Sequence, residues 1–133
     1  MSKLTIIRGP SGSGKSTLAQ RIIKKSSTPT LHLEADMYMF VNGEYKFSPT
    51  KLKDAHNWCL KMTQFGLEAG FDVIVSNTAT RLWELYPYLD SKEGSEVEVL
   101  RTTGRYNNVH NVPDEVVEAM RDRFEDFEGE KLF

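Results

Sequence analysis

The chain holds one cysteine, Cys59, in 133 residues, so no disulfide can form within it. Cys59 falls on an apolar helical face and reads as a buried, inert thiol. No apolar run approaches the roughly 20 residues of a membrane span. Met1-Ser2-Lys3 leads straight into a strand pattern, so no signal peptide is expected and a cytoplasmic protein is. No His/Cys cluster has the spacing of a structural metal site. Charge of one sign is also lacking: 17 basic against 19 acidic residues leave a net −2. That excludes broad wrapping of duplex nucleic acid, which needs many phosphate contacts, and leaves room for a local basic site holding one strand end. Linkers, internal repeats and low-complexity tracts are absent. The length suits one domain over residues 1–133, enough to bury about two-thirds of the unfolded surface.

Against those absences stands Gly9-Pro10-Ser11-Gly12-Ser13-Gly14-Lys15-Ser16. It fits G-x-x-x-x-G-K-[ST], the P-loop (Walker A) pattern that wraps the phosphates of a nucleoside triphosphate. Lys3–Arg8 reads as a strand entering the loop. Thr17–Ile23 reads as a helix leaving it, with Leu18, Ile22 and Ile23 on one face. Gly9, Gly12 and Gly14 permit backbone angles and close approach that a Cβ blocks. Loop amides and the helix N-terminus then face phosphate oxygens. Lys15 supplies positive charge to the β and γ phosphates, and the Ser16 hydroxyl is the candidate Mg²⁺ ligand. Gly9, Ser11, Gly12, Ser13, Gly14, Lys15, Ser16 and Thr17 are thus the expected ATP-binding residues.

Strand and helix patterns alternate downstream, the signature of an α/β fold with a mostly parallel sheet and helices on both faces. Thr30–Leu33 is a short second strand, and Asn42-Gly43 marks a tight hairpin turn. Ser48 as N-cap and Pro49 at the first helical position open a long helix. Its inner stripe is Leu52, Ala55, His56, Cys59, Met62 and Thr63, and Gly70 stops it. Phe71–Val75 reads as a central strand. Arg81–Leu89 is helical, with Pro87 set to break or kink it. Glu96–Leu100 alternates, as a strand near the sheet edge does. A last helix starts near Pro113-Asp114-Glu115, with Val116, Val117, Met120, Phe124 and Phe127 as its core stripe. The sum is a small three-layer P-loop fold of about four strands and four helices, too short for the added strands of large motor ATPases.

Ligands of open parallel sheets bind beyond the carboxyl ends of the strands. Asp36 follows the second strand there and suits a general base toward a hydroxyl; a helix-cap role is its alternative. Glu34, by strand alternation, points away. Ser76 ends the third strand, where many P-loop proteins place an Asp for Mg²⁺; Asn77 and Thr78 beside it suit either ligand orientation or turn formation. Arg101 and Arg105 follow the fourth strand. Arg105 is the expected lid cation for charge on a transferring phosphoryl group, and Arg101 a contact to the adenine or to an acceptor strand. Tyr106 offers a ring for stacking, and His110 a weaker phosphate contact.

With these segments laid out, the chain resembles the small P-loop kinases related to the kinase half of bacteriophage polynucleotide 5′-hydroxyl kinase. The resemblance rests on the P-loop, the Asp36 segment, Ala55-His56-Asn57-Trp58, Val73-Ile74-Val75 with Ser76-Asn77-Thr78, and Asn108–Pro113 with its helix. It implies transfer of the γ-phosphate of ATP, with Mg²⁺, to a hydroxyl on a nucleic acid end or nucleotide, with Asp36 matching the catalytic carboxylate. Three departures accompany it. Ser76 and Ala79 stand where the family has Asp and Asn, Asn107 stands where it has the lid Arg, and no phosphatase domain is present. Two further readings follow: a nucleotide-binding module acting through a protein partner without transfer, and a kinase for a modified base or small metabolite.

Overall fold

A computed structural model describes residues 2–91, 95–106 and 112–133; Asn107 and His110 lie outside them. Five strands form one parallel sheet: β1 (Lys3–Arg8), β2 (Thr30–Leu33), β5 (Asp72–Asn77), β6 (Glu96–Arg101) and β7 (Lys131–Leu132), in the order β2-β5-β1-β6-β7. The short β3 (Phe40–Val41) and β4 (Glu44–Tyr45) pair apart from it, as a hairpin turning on Asn42 and Gly43. Both turn residues have positive φ, the geometry Asn-Gly favours. The sheet thus has one strand more than the sequence suggests. The fifth, β7, is two residues long, too short for any periodicity to show. It pairs Leu100 with Lys131 and Arg101 with Leu132, so the carboxyl end of β6 is interior rather than an edge.

β1 lies between β5 and β6, with Ile6 level with both Val75 and Val99. Its side chains alternate between two cores. On one face Ile7, Ile74 and Leu100 meet Leu18 and Ala19 of α1 (Lys15–Lys25), with Ile22 and Ile23 at the margin. On the other, Leu4, Ile6, Val73, Val75 and Val99 meet α2 (Leu52–Glu68) and α3 (Tyr86–Asp90). Among the described residues no helix is long and apolar enough to cross a membrane.

Local chemistry revises several expected boundaries. Pro49–Lys51 forms a 3-10 turn and the α-helix starts at Leu52. The Ser48 hydroxyl bonds Thr50 Oγ1 at 3.0 Å rather than capping the helix. The buried stripe is Ala55, Cys59, Thr63, Gly66 and Leu67, with Leu52 and His56 exposed. At the other end Phe71 N–H donates to Gly66 O and Gly70 N–H to Leu67 O. With Gly70 at φ +89°, this is the Schellman stop. Pro87 does not break a helix: Leu82–Glu84 is a separate 3-10 turn, and Pro87 lies in the first turn of α3, where no N–H is required. The expected core stripe of the last helix is not one. α4 (Asp114–Asp122) has no buried residue and ends before Phe124; its side chains meet Ser11, Gly104 and Arg105 instead.

Phe124 instead lies under two guanidinium groups, those of Arg8 and Arg101, each 4.4 Å from the ring centre. Arg8 ends β1 and is fully buried. Nε donates to Ala79 O, and Nη2 to Ala79 O and Thr80 O. Nη1 donates to Glu125 O and to Glu130 Oε1 at 2.9 Å. All five donors of the guanidinium are therefore used. A buried charge is tolerated only when paired and hydrogen-bonded in this way. Removing one partner of such a pair costs about 3–5 kcal/mol. Arg8→Ala should lower unfolding free energy by about that amount in denaturant titration, and free the segment after α4 to proteolysis. A loss under about 1 kcal/mol, with the tail still protected, counts against this role.

Candidate active site

The P-loop joins β1 to α1 at the carboxyl edge of the sheet. Gly12 and Gly14 take φ +76° and +100°, the left-handed region in which a Cβ is strained. Gly9 is required for space. A Cβ there would lie 2.2 Å from Thr102 Oγ1, 2.5 Å from Ser13 Oγ and 2.8 Å from Thr102 O. The buried Ser13 hydroxyl shares a 2.6 Å hydrogen bond with Thr102 Oγ1, tying the loop to the end of β6. Ser11 Oγ donates to Met120 Sδ of α4 at 3.8 Å. Gly104 N–H and Tyr106 N–H donate to Ser13 O and Gly12 O, so residues 102–106 lie on the loop. Ser16 and Thr17 are exposed in the first turn of α1.

Lys15 Nζ donates to Gly9 O at 2.9 Å and Pro10 O at 3.1 Å. Burial pushes the ammonium down to about 8, while the negative charges of Glu34 and then Asp36 pull it upward. Both carboxylates therefore act on the same cation. Asp36 lies in the 3-10 turn Ala35–Met39 after β2. It interacts with the Tyr45 hydroxyl, whose pKa is pushed up to about 12 by burial, by the Asp36 charge and by that hydrogen bond. The hairpin thereby brings Tyr45 to the carboxylate. Asn77 at the end of β5 accepts from Ala35 N–H at 2.9 Å, fixing the turn one residue before Asp36.

Three residues of this region escaped the sequence reading. Glu34 does not point away: Ser16 Oγ contacts both its oxygens, at 3.0 and 3.3 Å. The backbone at Glu34 is still extended, with φ −137° and ψ 141°, so alternation carries it opposite Leu33, onto the α1 face where Ser16 lies. Its place at the carboxyl end of a parallel strand was the available signal. Tyr45 could be found from the Asn-Gly register, which sets it opposite Phe40. Arg121 of α4 leaves no sequence signal. Its side chain is 17% exposed, Nη2 donates to Gly104 O, and Nε is buried without a hydrogen bond.

Arg105 and Arg101, the two arginines singled out after β6, are each held by acids. Arg105 is 68% exposed and donates to Glu118 Oε1 of α4 at 2.8 Å. Glu118 also lies 3.8 Å from Arg121 Nε, so one carboxylate bridges both cations. Arg101 pairs with Asp126 and with Glu130 at 3.3 Å, over Phe124. Ser76 Oγ bonds His32 Nε2 at 2.9 Å. Cys59 is buried and its thiol pKa is raised mainly by that burial, as expected of an inert cysteine.

This geometry has counterparts among known proteins. The family model for an AAA domain matches residues 4–100, and the chain belongs to that family. It is 29% identical over 136 residues to NEDD4-binding protein 2 of Homo sapiens, covering 93% of this chain and 8% of that protein. It is 32% identical over 138 residues to the uncharacterized protein PM0531 of Pasteurella multocida, covering 90% of this chain and 75% of the other. Among solved structures, a chain of the Pnkp1/Rnl/Hen1 RNA repair complex aligns at a TM-score of 0.72 and 19% identity, over 92% of this chain and 44% of that one. A sugar kinase from Janibacter sp. HTCC2649 aligns at 0.71 and 17%, over 100% and 84%. At such identities these structures establish the fold, and it is that of P-loop kinases.

Two outcomes test the site as described. Gly9→Ala forces the loop off Thr102 and should lower stability by about 1–3 kcal/mol, the usual cost of overpacking; an unchanged denaturation midpoint would contradict the contact. The lowered Lys15 pKa has a definite sign. Between about 8 and 10.5 the unfolded chain binds more protons than the folded one, so stability rises with pH across that window. Lys15→Met should remove that contribution, flattening the difference in thermal midpoint between pH 8 and pH 10 relative to wild type.

Proposed function

We propose that this AAA-domain chain is a cytoplasmic P-loop kinase that transfers the γ-phosphate of ATP to a hydroxyl on a nucleic acid end or a nucleotide. The observation that carries the reading is the joint placement of Lys15, in a loop built for phosphates, and Asp36, whose charge acts on that lysine. A cation for the donor phosphates and a carboxylate for the acceptor hydroxyl are the two groups in-line phosphoryl transfer asks of a protein.

In this reading Lys15 exchanges the Gly9 and Pro10 carbonyls for β and γ phosphate oxygens. The amides of Gly12 to Ser16 and the N-terminus of α1 face the same oxygens. Asp36, held by Tyr45, accepts the proton of the acceptor hydroxyl. The hydroxyl oxygen bonds to the γ-phosphorus as the bond to the β-phosphate bridging oxygen breaks, and ADP leaves. Arg105 exchanges Glu118 for the transferring phosphoryl group, and Arg101 contacts the nucleotide or the strand. The hydroxyl of Ser16 and the carboxylate of Glu34, in contact with each other, are hard oxygen donors of the kind Mg²⁺ takes; Ser16 is its ligand. Bound there, Mg²⁺ supplies charge neutralisation between the β and γ phosphates.

A second reading, a nucleotide-binding module without transfer, is favoured by one feature: β5 ends in Ser76, engaged by His32, where an acid would serve the metal. The decisive assay offers γ-labelled ATP with 5′-hydroxyl DNA, 5′-hydroxyl RNA, mononucleotides and hydroxymethylated DNA. Label should appear on an acceptor. Nucleotide-induced thermal stabilisation without transfer to any acceptor selects the module.

Three variants locate the roles. Lys15→Ala should abolish stabilisation by ATP–Mg²⁺ while keeping the fold, since only ligand bound to the native state raises the midpoint. Asp36→Asn should leave ATP affinity near wild type and slow transfer by about 10²–10⁴; full-rate transfer would make that carboxylate structural. Arg105→Ala should lower the transfer rate far more than ATP affinity, as expected of a contact formed in the transition state. If Arg121→Ala does so and Arg105→Ala does not, the lid cation is Arg121.

A further inference from the structure

We propose that Glu34 is the carboxylate serving the nucleotide's magnesium ion, in place of the acid that β5 lacks; this rests on the nucleotide-binding reading above. Mg²⁺ beside a bound triphosphate is held by few protein groups, one or two hard oxygens completed by phosphate and water. Among the described residues no group of three or more His, Cys, Asp or Glu forms a protein cage for a metal, and the acid in contact with the P-loop serine is Glu34.

The residues ending β5 are already engaged. Ser76 Oγ is 2.9 Å from His32 Nε2. Asn77 Oδ1 accepts from Ala35 N–H, and Nδ2 approaches Cys59 Sγ at 3.8 Å. Neither carries a negative charge. The neighbouring strand does. The parallel register that pairs Leu33 with Val75 sets Glu34 level with Ser76, one strand over at the same carboxyl edge.

Its carboxylate is also the group that contacts the Ser16 hydroxyl, with both oxygens. The bond from Asn77 to the next residue's amide fixes the backbone that aims it. Glu34 is the leading negative charge on Lys15, ahead of Asp36. The two acids thus divide the work by position. Glu34 stands on the serine of the P-loop. Asp36, two residues on, stands with Tyr45 on the acceptor side.

The test compares wild type, Glu34→Gln and Asp36→Asn by two measurements. Thermal stabilisation by ATP in the presence of a chelator reads nucleotide binding alone. Electron paramagnetic resonance titration of Mn²⁺ against each protein with ADP reads the metal. Glu34→Gln should keep the chelator-insensitive stabilisation and weaken Mn²⁺ in the ternary complex by about 10–100-fold, the usual cost of losing a metal-supporting carboxylate. Asp36→Asn should bind Mn²⁺ within about threefold of wild type. Wild-type Mn²⁺ affinity in Glu34→Gln overturns the assignment while leaving the nucleotide site intact. So does a loss in Asp36→Asn as large as in Glu34→Gln. A wild type that ATP fails to stabilise, with or without metal, overturns the nucleotide-binding reading and this assignment with it.

Discussion

One buried cation organises the carboxyl edge of this sheet. Arg8 is the residue immediately before the P-loop, and its guanidinium reaches the turn after β5 and two points of the C-terminal segment. A charge without exposure to water is stable only where every donor finds an acceptor, so these pieces of chain must assemble together or not at all. The consequences spread from there. Ala79 is held at φ +43°, an uncommon conformation for a residue with a Cβ, with its carbonyl taken twice by Arg8. Gly9 N–H then donates to Thr78 O, which sets where the loop leaves the strand. Glu130 meets Arg8 with one oxygen and Arg101 with the other, so β7 docks where those two strand ends present their guanidinium groups.

A second balance of charge shapes the site. Lys15 is turned into its own loop, held by two carbonyls and flanked by two carboxylates. Burial weakens its hold on a proton while the acids strengthen it. That opposition keeps a cation beside the loop amides, with no salt bridge to it among the described residues. The acids are themselves restrained, Glu34 by Ser16 and Asp36 by Tyr45. Both are positioned by a turn whose backbone is tied to β5 through Asn77. Across the loop, Glu118 holds Arg105 and stands near Arg121. That side thus carries positive charge compensated by an exposed acid, an arrangement that water and salt can loosen.

The readings that transferred from sequence to structure are those with local causes. The P-loop pattern fixes its own geometry, since Gly12 and Gly14 sit where only a glycine is unstrained. The Asn-Gly turn and the Gly70 helix stop are equally self-contained. The nearly continuous apolar run of β5 required burial on both faces, and the sheet gives it that. Where a residue's meaning depended on distant chain, the reading failed. Val116, Val117 and Met120 repeat at helical spacing, yet α4 has no core beneath it. Glu34, still extended, meets the first turn of α1, a contact that the strand pattern alone does not give. The acidic partners of Arg101 and Arg105, which lie 13 to 29 residues further along, were equally invisible to local pattern.

By itself, then, the sequence determined the class of the fold, the P-loop between β1 and α1, and the polar residues that end the parallel strands. Each follows from backbone conformation and hydrophobic periodicity, which act over a few residues. Only the tertiary structure decided which polar side chains face one another. It joined Glu34 to Ser16, Tyr45 to Asp36, His32 to Ser76, and Arg8 to the tail through Ala79, Thr80, Glu125 and Glu130. The physical reason is that a hydrogen bond or ion pair is specified by two partners at bonding distance. Sequence separation says nothing about that distance until the sheet order β2-β5-β1-β6-β7 is in place.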